Sequence, residues 1–267
     1  MNKHRTVSIL GCGWFGYPLA KELISAGYAV KGSTTTLSKM TKLHSEGIDP
    51  YLIDLDAEEI EFGNFFDSDI LIIGIPPGMR SGKGDRYAEK IGRVAMQSRG
   101  TAIKQVIFIS STSVFSDMNH VIEESEVPAP ETASGVAILS AEKLLLDCSW
   151  FETTIVRFAG LIGPERDPGR FFAGKTDIAN GRAPVNLIHQ DDCIGLVMSI
   201  IQQEAFGNIF HGVSPEHPTR NEFYTAAASR SGHILPHFKD ELLGWKIIHS
   251  KKVPELLKYT FKKNLMT

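Results

Sequence analysis

Short apolar-rich runs, several of them continuous, alternate along this chain with stretches in which apolar residues recur every three to four positions. The runs cover 7–10, 29–32, 50–53, 70–75, 105–110, 153–158 and 208–212. Ile70-Leu71-Ile72-Ile73-Gly74-Ile75 is typical of them. A strand exposed on one face would alternate apolar and polar residues, so runs like these predict strands covered on both faces. The helical patterns fall between most of them, at 17–25, 39–45, 87–97, 140–147 and 193–202. Strand and helix in alternation predict an α/β fold, a parallel sheet with helices on both sides. No period of 20–50 residues repeats, and no low-complexity tract interrupts the pattern.

The first strand runs directly into Gly11-Cys12-Gly13-Trp14-Phe15-Gly16, and a helical pattern follows through Leu19, Ala20, Leu23 and Ile24. This is G-x-G-x-x-G between a strand and a helix, the context in which the motif carries meaning. Gly11 allows the tight turn, Gly13 lets backbone approach a pyrophosphate, and Gly16 lets helix pack against strand. The first N–H groups of the helix have no partner within it and favour an anion at its end. A dinucleotide is the expected ligand. The competing reading is a glycine-rich turn that binds nothing.

Composition narrows the partners. The chain has 267 residues, 42% of them hydrophobic, enough for one α/β domain with an appended lobe. A formal net charge of -3 gives no reason to expect nucleic acid. Cys12, Cys148 and Cys193 lie far apart without C-x-x-C spacing. A metal site or disulfide framework is therefore not expected, and a reducing cytoplasm is. The N-terminal apolar stretch breaks at Gly11, too short for a signal peptide or membrane span. The expected partner is a small-molecule substrate, and the chain is expected as a monomer or homodimer.

From Gly163 the texture changes. Gly163-Pro164-Glu165-Arg166-Asp167-Pro168-Gly169-Arg170 is rich in turn formers and charge, and a Pro/His-rich stretch runs over 214–219. Residues 1–162 are expected as the nucleotide-binding core. Residues 163–267 are expected to return the last core strands and helices over 185–212 and otherwise to build a small lobe. Such a lobe belongs over the carboxyl ends of the strands, where open α/β sheets bind ligands.

Four further segments extend the first motif. Pro76-Pro77-Gly78 follows the fourth strand, Ser110-Ser111-Thr112-Ser113-Val114-Phe115 the fifth, and Arg157-Phe158-Ala159-Gly160-Leu161-Ile162-Gly163-Pro164 the sixth; Val185-Asn186-Leu187-Ile188-His189-Gln190-Asp191-Asp192 then leads into a helix. In this order the chain resembles the extended short-chain dehydrogenase/reductases, the NAD(P)-dependent epimerase/dehydratase type, over nearly its whole length. The resemblance implies a Rossmann-type doubly wound parallel sheet with a small C-terminal substrate lobe. It also implies a catalytic Ser or Thr after the fifth strand and a Tyr-x-x-x-Lys pair on the next helix. The Tyr is general acid/base, and the Lys binds the nicotinamide ribose and lowers the Tyr pKa.

Ser111 matches the serine. Gly135 and Glu142 match the family's Gly after the Tyr and its later Glu, which puts Ser134 at the Tyr position and Ile138 at the Lys position. At about 100° per residue, 134, 137, 138, 141 and 145 share one side and read Ser, Ala, Ile, Ala, Leu, while Lys143 faces elsewhere. The chain is thus an atypical member without an evident proton carrier. If chemistry occurs, Ser111 is best placed to touch a carbonyl oxygen, with Ser134, Ser113 and Tyr87 as secondary candidates; Arg80 also lies near the expected nicotinamide end.

The end of the second strand, Lys31-Gly32-Ser33-Thr34-Thr35-Thr36-Leu37-Ser38-Lys39, holds no acid to bind both ribose hydroxyls and repel a 2'-phosphate. Ser33, Thr34, Thr35 and Ser38 offer hydrogen bonds and Lys39 a charge, so NADP is expected over NAD, with NAD possible. The alternative is a polar surface loop. Asp54 resembles the family's adenine-contacting Asp, with Leu55 beside it; a cap for the next segment is the other reading. Trp14, Phe15, Pro76, Pro77 and Ser110 complete the expected cofactor wall.

In the lobe, Arg166 and Arg170 either clamp an anionic substrate group or pair with Glu165 or Asp167. Asn186 is a further substrate candidate. His189, Asp191 and Asp192 lack a second His or Cys at ligand spacing and are expected to be structural, with no metal; His211 and His217 are likewise expected to be structural. Two functions compete: an oxidoreductase or isomerase acting on a small anionic, nucleotide-linked or phosphorylated metabolite, and a non-catalytic NADP-binding redox sensor.

Overall fold

The computed structural model describes residues 5–78 and 86–266. Seven strands form one sheet: β1 (Thr6–Leu10), β2 (Ala29–Thr34), β3 (Asp49–Leu52), β4 (Ile70–Ile73), β5 (Gln105–Ser111), β7 (Glu152–Phe158) and β10 (Ile209–Gly212). They are the seven apolar runs of the sequence. Their order is β10-β7-β5-β4-β1-β2-β3. The pairs β1·β2, β1·β4, β2·β3 and β4·β5 are parallel, with Val7 opposite both Val30 and Ile70. From β1 the chain moves outward to β2 and β3, then returns to place β4 on β1's other side. That reversal opens a crevice at the carboxyl ends of β1 and β4, where doubly wound sheets bind ligands.

The helices are α1 (Gly16–Ser25), α2 (Leu37–Ser45), α3 (Tyr87–Gln97), α4 (Ala133–Leu146), α5 (Gln190–Gln202), α6 (Arg220–Arg230) and α7 (Lys252–Leu257). Four short strands complete the chain: β6 (Val121–Ile122) pairs with β11 (Ile247–Ile248), and β8 (Gly160–Ile162) with β9 (Leu187–His189). Helix α4 begins seven residues before the periodicity predicts. Thr132 caps it, its hydroxyl accepting the Gly135 N–H at 3.1 Å, and this brings Ser134 into the first turn. Helix α6 is absent from the sequence expectation. Thr219 and Glu222 close it with a reciprocal capping box.

The chain forms two compact units. The first comprises the segments up to Ser111, Thr132–Val156 and Val197–Ile209; the second comprises Thr112–Glu131, Arg157–Leu196 and the segment from Phe210 on. The first unit's core is the sheet itself. Ile9, Ile70–Ile73, Val106 and Phe108 are buried, with Leu19 and Leu23 of α1, Ile91 and Val94 of α3 and Leu145 of α4 around them. The second unit has a smaller core of Ile162, Val185, Leu187, Phe223 and Leu265, with Tyr224 packed against it. No helix among the described residues is long and apolar enough to cross a membrane.

Candidate functional site: a glycine turn and a helix face in the first unit

Three glycines shape the turn after β1, each differently. Gly11 has φ +103°, and a Cβ there would meet Ile75 at 2.9 Å, so this turn and the loop after β4 touch. Gly16 lies so close to the turn that a Cβ would stand 2.2 Å from the Gly11 carbonyl oxygen. Gly13 is the opposite case: it is exposed, and a Cβ would meet nothing within 4 Å. The turn is therefore tight where protein meets protein and open on one side, at the residue assigned to a pyrophosphate. That shape fits a dinucleotide. Trp14 is half-buried and Phe15 buried. Cys12 is buried, and burial pushes its thiol up to about 12, so it stays neutral and fills the space left by Gly32.

The strand ends around the turn do work that the sequence does not reveal. Ser33 is expected at the ribose. Instead it is 2% exposed, its Oγ accepts the Gly11 N–H at 2.9 Å and its carbonyl accepts that of Cys12 at 2.8 Å. It braces the glycine turn from β2. Thr34 is buried too, and its hydroxyl accepts the Thr36 N–H. Thr35, Ser38 and Lys39 are exposed at the start of α2, where no acidic residue stands in the first turn. Asp54 is exposed, and its carboxylate accepts the Asp56 N–H at 2.9 Å. Leu55 is buried, and its carbonyl accepts from Arg93 of α3 at 2.9 Å; Lys90 of the same helix pairs with Asp56. The loop after β3 is thus pinned from α3.

Tyr87, a catalytic candidate from sequence, is 2% exposed and donates its hydroxyl to the Ile75 carbonyl at 2.9 Å. Burial holds that phenol well above its ordinary value. It is a strut under the loop of Pro76 and Pro77, of which Pro76 is exposed and Pro77 half-buried. Arg80 lies outside the described residues.

After β5, Ser110 is buried and donates its hydroxyl to the Glu142 carboxylate of α4. Ser111 and Ser134 are half-buried, Ile138 is 6% exposed, and Ala141 is fully buried. Lys143 is exposed, as the helical arithmetic requires. Ser134, Ile138 and Glu142 are spaced one turn apart, and Glu142 is fixed to β5. Ser134 and Ile138 therefore lie on the side of α4 turned to the sheet, carrying a hydroxymethyl and a butyl group.

In the second unit, Ser113 is half-buried in the short turn Thr112–Val114. Arg166 and Arg170 are exposed; Arg170 stands 3.8 Å from Asp167, near enough for a weak, screened ion pair. Asp167 accepts from the Gly169 N–H and Ser231 hydroxyl and meets His233 at 3.2 Å. Burial works to raise its pKa, but these donors outweigh it and hold the carboxylate below its usual range. Asn186, a substrate candidate from sequence, is committed at both ends: it donates to the Lys246 carbonyl at 2.9 Å and accepts the Ile248 N–H at 2.7 Å. It clamps β11. Asp192, 1% exposed, accepts from the Tyr259 hydroxyl and the Lys262 and Lys263 N–H groups and so fixes the C-terminal segment. His189 accepts the Asp191 N–H.

The fold is that of the extended short-chain dehydrogenase/reductases. A UDP-glucuronic acid 4-epimerase from Bacillus cereus, in complex with UDP-glucuronic acid and NAD, superposes with TM-score 0.79 at 17% identity, over 98% of this chain and 95% of that one. A short-chain dehydrogenase/reductase superfamily protein from Agrobacterium tumefaciens with bound NAD gives 0.77 at 14% identity, over 97% and 93%. No protein-family model matches the chain. Within this fold the chain belongs to the family of Protein YeeZ of Escherichia coli strain K12, to which it is 37% identical over 243 residues, 89% of this chain and 88% of that one.

Proposed function

We propose that this chain binds NAD(P) at its glycine turn, NADP in preference, and acts on a small anionic metabolite as an oxidoreductase or isomerase. The open side of Gly13, beside a turn otherwise closed by Gly11 and Gly16, is the observation that carries dinucleotide binding. Gly11, Gly13, Trp14, Phe15 and Gly16 would hold the pyrophosphate through backbone and the α1 N-terminus. Thr35 and Lys39 would meet a 2'-phosphate, Asp54 and Leu55 the adenine side, and Pro76, Pro77 and Ser110 the nicotinamide side. When bound, the nicotinamide supplies a hydride donor or acceptor. Ser111 would touch the substrate oxygen, with Ser134 a second candidate in the same unit; Ser113, Arg166 and Arg170 are the second unit's candidates, the two arginines for an anionic group. The nucleotide sugar held by the epimerase neighbour supports a nucleotide-linked substrate. Calorimetric titration with NADPH and NADH tests the cofactor, and a nicotinamide absorbance screen over nucleotide sugars and phosphorylated alcohols tests the chemistry.

A second reading, a non-catalytic NADP-binding redox sensor, is favoured by the helix face itself. Ser134, Ala137, Ile138 and Ala141 offer no group that exchanges a proton near neutral pH. The pair Ser134→Tyr with Ile138→Lys separates the readings. Turnover gained only in that variant supports the sensor; turnover in the unmodified chain, lost in Ser111→Ala, supports the enzyme.

A further inference from the structure

The second unit contains a cavity of about 300 Å³ that none of the residues assigned above uses. Val213, Ile248, Pro254 and Phe261 supply its apolar wall, and no carboxylate, lysine or arginine lines it. The C-terminal segment that forms one side is held by Asp192, through the Tyr259 hydroxyl at 2.8 Å and the Lys262 N–H at 2.7 Å. This is a built wall, fixed by a buried carboxylate.

The polar groups in the lining are mostly committed to the protein. Tyr259 gives its proton to Asp192, and Ser250 donates to the His211 carbonyl at 2.6 Å. Ser214 accepts the Glu216 N–H. His217 differs. Its Nδ1 lies 3.0 Å from the Val185 carbonyl, which can only accept, so Nδ1 carries the proton. In the neutral ring Nε2 is then a lone-pair acceptor, and it has no hydrogen-bond partner among the described residues. Burial, opposed by the Val185 carbonyl and aided by the charge of His249, keeps the ring's pKa below its ordinary value.

We infer that this cavity is a binding site for a small, neutral, largely apolar ring compound carrying one N–H or O–H donor, which His217 Nε2 accepts. His249 also lines the cavity, with its Nδ1 3.5 Å from the Glu123 carboxylate, so a cationic or polyhydroxylated ligand would find few open partners there, and burying its polar groups unpaired is costly. Size agrees: apolar cavities of ~150 Å³ take up a benzene ring, so this one accommodates a bicycle. Ligand sites begin at about this volume. The inference stands apart from dinucleotide binding, because none of the residues assigned to the dinucleotide lines this cavity.

Indole and 1-methylindole are paired probes that share the bicycle, the second carrying an N-methyl group in place of the N–H donor. Titration of the full chain by calorimetry and ligand-observed NMR is expected to give saturable 1:1 binding of indole, and weaker binding of 1-methylindole by about fivefold, the loss of one hydrogen bond. Thr260 is exposed on the cavity rim, so Thr260→Trp fills the space without touching the core. It should weaken indole at least tenfold, while circular dichroism remains unchanged. Gly13→Val should leave indole affinity unaltered, so failure of dinucleotide binding and failure of this site are told apart. No saturable indole binding up to millimolar concentration, or binding that Thr260→Trp does not move, overturns the site. Equal affinity for the two probes overturns the role of His217.

Discussion

Gly13 and Gly16 lie three residues apart in one turn, and the structure makes opposite demands on them. Gly13 has an ordinary negative φ and open space beyond its α-carbon, whereas an added methyl at Gly16 runs into the Gly11 carbonyl at 2.2 Å. Gly13→Ala should therefore fold as well as the wild type, or better by ~0.4–1 kcal/mol, because alanine narrows the unfolded ensemble. Gly16→Ala must move backbone, since no flexible side chain is available to yield, and should cost ~1–3 kcal/mol. Binding should rank the other way at Gly13. A methyl there stands where a pyrophosphate would lie, and losing two charge-assisted backbone bonds at ~1.5 kcal/mol each weakens NADPH by a hundredfold or more. Urea melts of the apo proteins give the stabilities, and calorimetry gives the affinities. The reasoning fails if Gly13→Ala is destabilised, which would mean the turn is not open. It also fails if Gly13→Ala binds NADPH as tightly as the wild type, which would mean nothing approaches that side.

Because Ser33 is buried under the turn, cofactor preference is best switched at exposed Thr35: Thr35→Asp should weaken NADPH by at least ~tenfold through charge repulsion and leave NADH unaffected, read by titration at fixed ionic strength. Tyr87→Phe should cost ~1–2 kcal/mol in urea melts, because the Ile75 carbonyl loses its partner, and NADPH affinity should fall as the loop after β4 loosens. His217 is protonated more readily in the unfolded chain, where its value is ~6.5, than in the folded one. Its contribution is therefore complete above that pH and is lost as pH falls towards the depressed folded value, so the stability difference between wild type and His217→Phe should shrink on acidification, measured by melts from pH 8 to 5.

The central strands such as β4 were legible because a strand buried on both faces leaves an unbroken apolar run, and the glycine turn was legible because its spacing reports backbone geometry directly. The short pairs β6·β11 and β8·β9 were not. Two or three residues make no pattern, and the partner of Val121 is 126 residues away at Ile247. The start of α4 was hidden by Thr132, Ser134 and Gly135, residues of poor helix propensity that here form a capped first turn. Helix α6 had a readable signal in Thr219 and Glu222, three apart behind Pro218, which periodicity alone passes over. At the site, the directions of the polar side chains were not legible. Ser33 and Tyr87 point inward to brace the turn and the loop after β4, and Asn186 meets β11, a segment 60 residues distant. A strand-end polar residue faces ligand or protein according to what packs beside it, and neighbours so remote in sequence leave no local trace.

The contact between Ser110 and Glu142 bears most on what this chain can do. It joins the end of β5 to α4 through a buried hydroxyl and a buried carboxylate, a contact that holds the helix in rotation against the sheet. Ile138 stands one turn before Glu142, and Ser134 one turn before that. With the helix locked in rotation, Lys143, next in sequence to Glu142 and about 100° around the axis, cannot reach the face where the Lys of the dyad would stand. The exposure of Lys143 and the burial of Ile138 agree with that locking. On the proposed alignment of Ser134 and Ile138 with the dyad, a repositioned Lys143 therefore does not stand in for the Lys. This gives the paired variant Ser134→Tyr with Ile138→Lys its force: the helix already presents both positions to the sheet, so the two side chains alone are being restored.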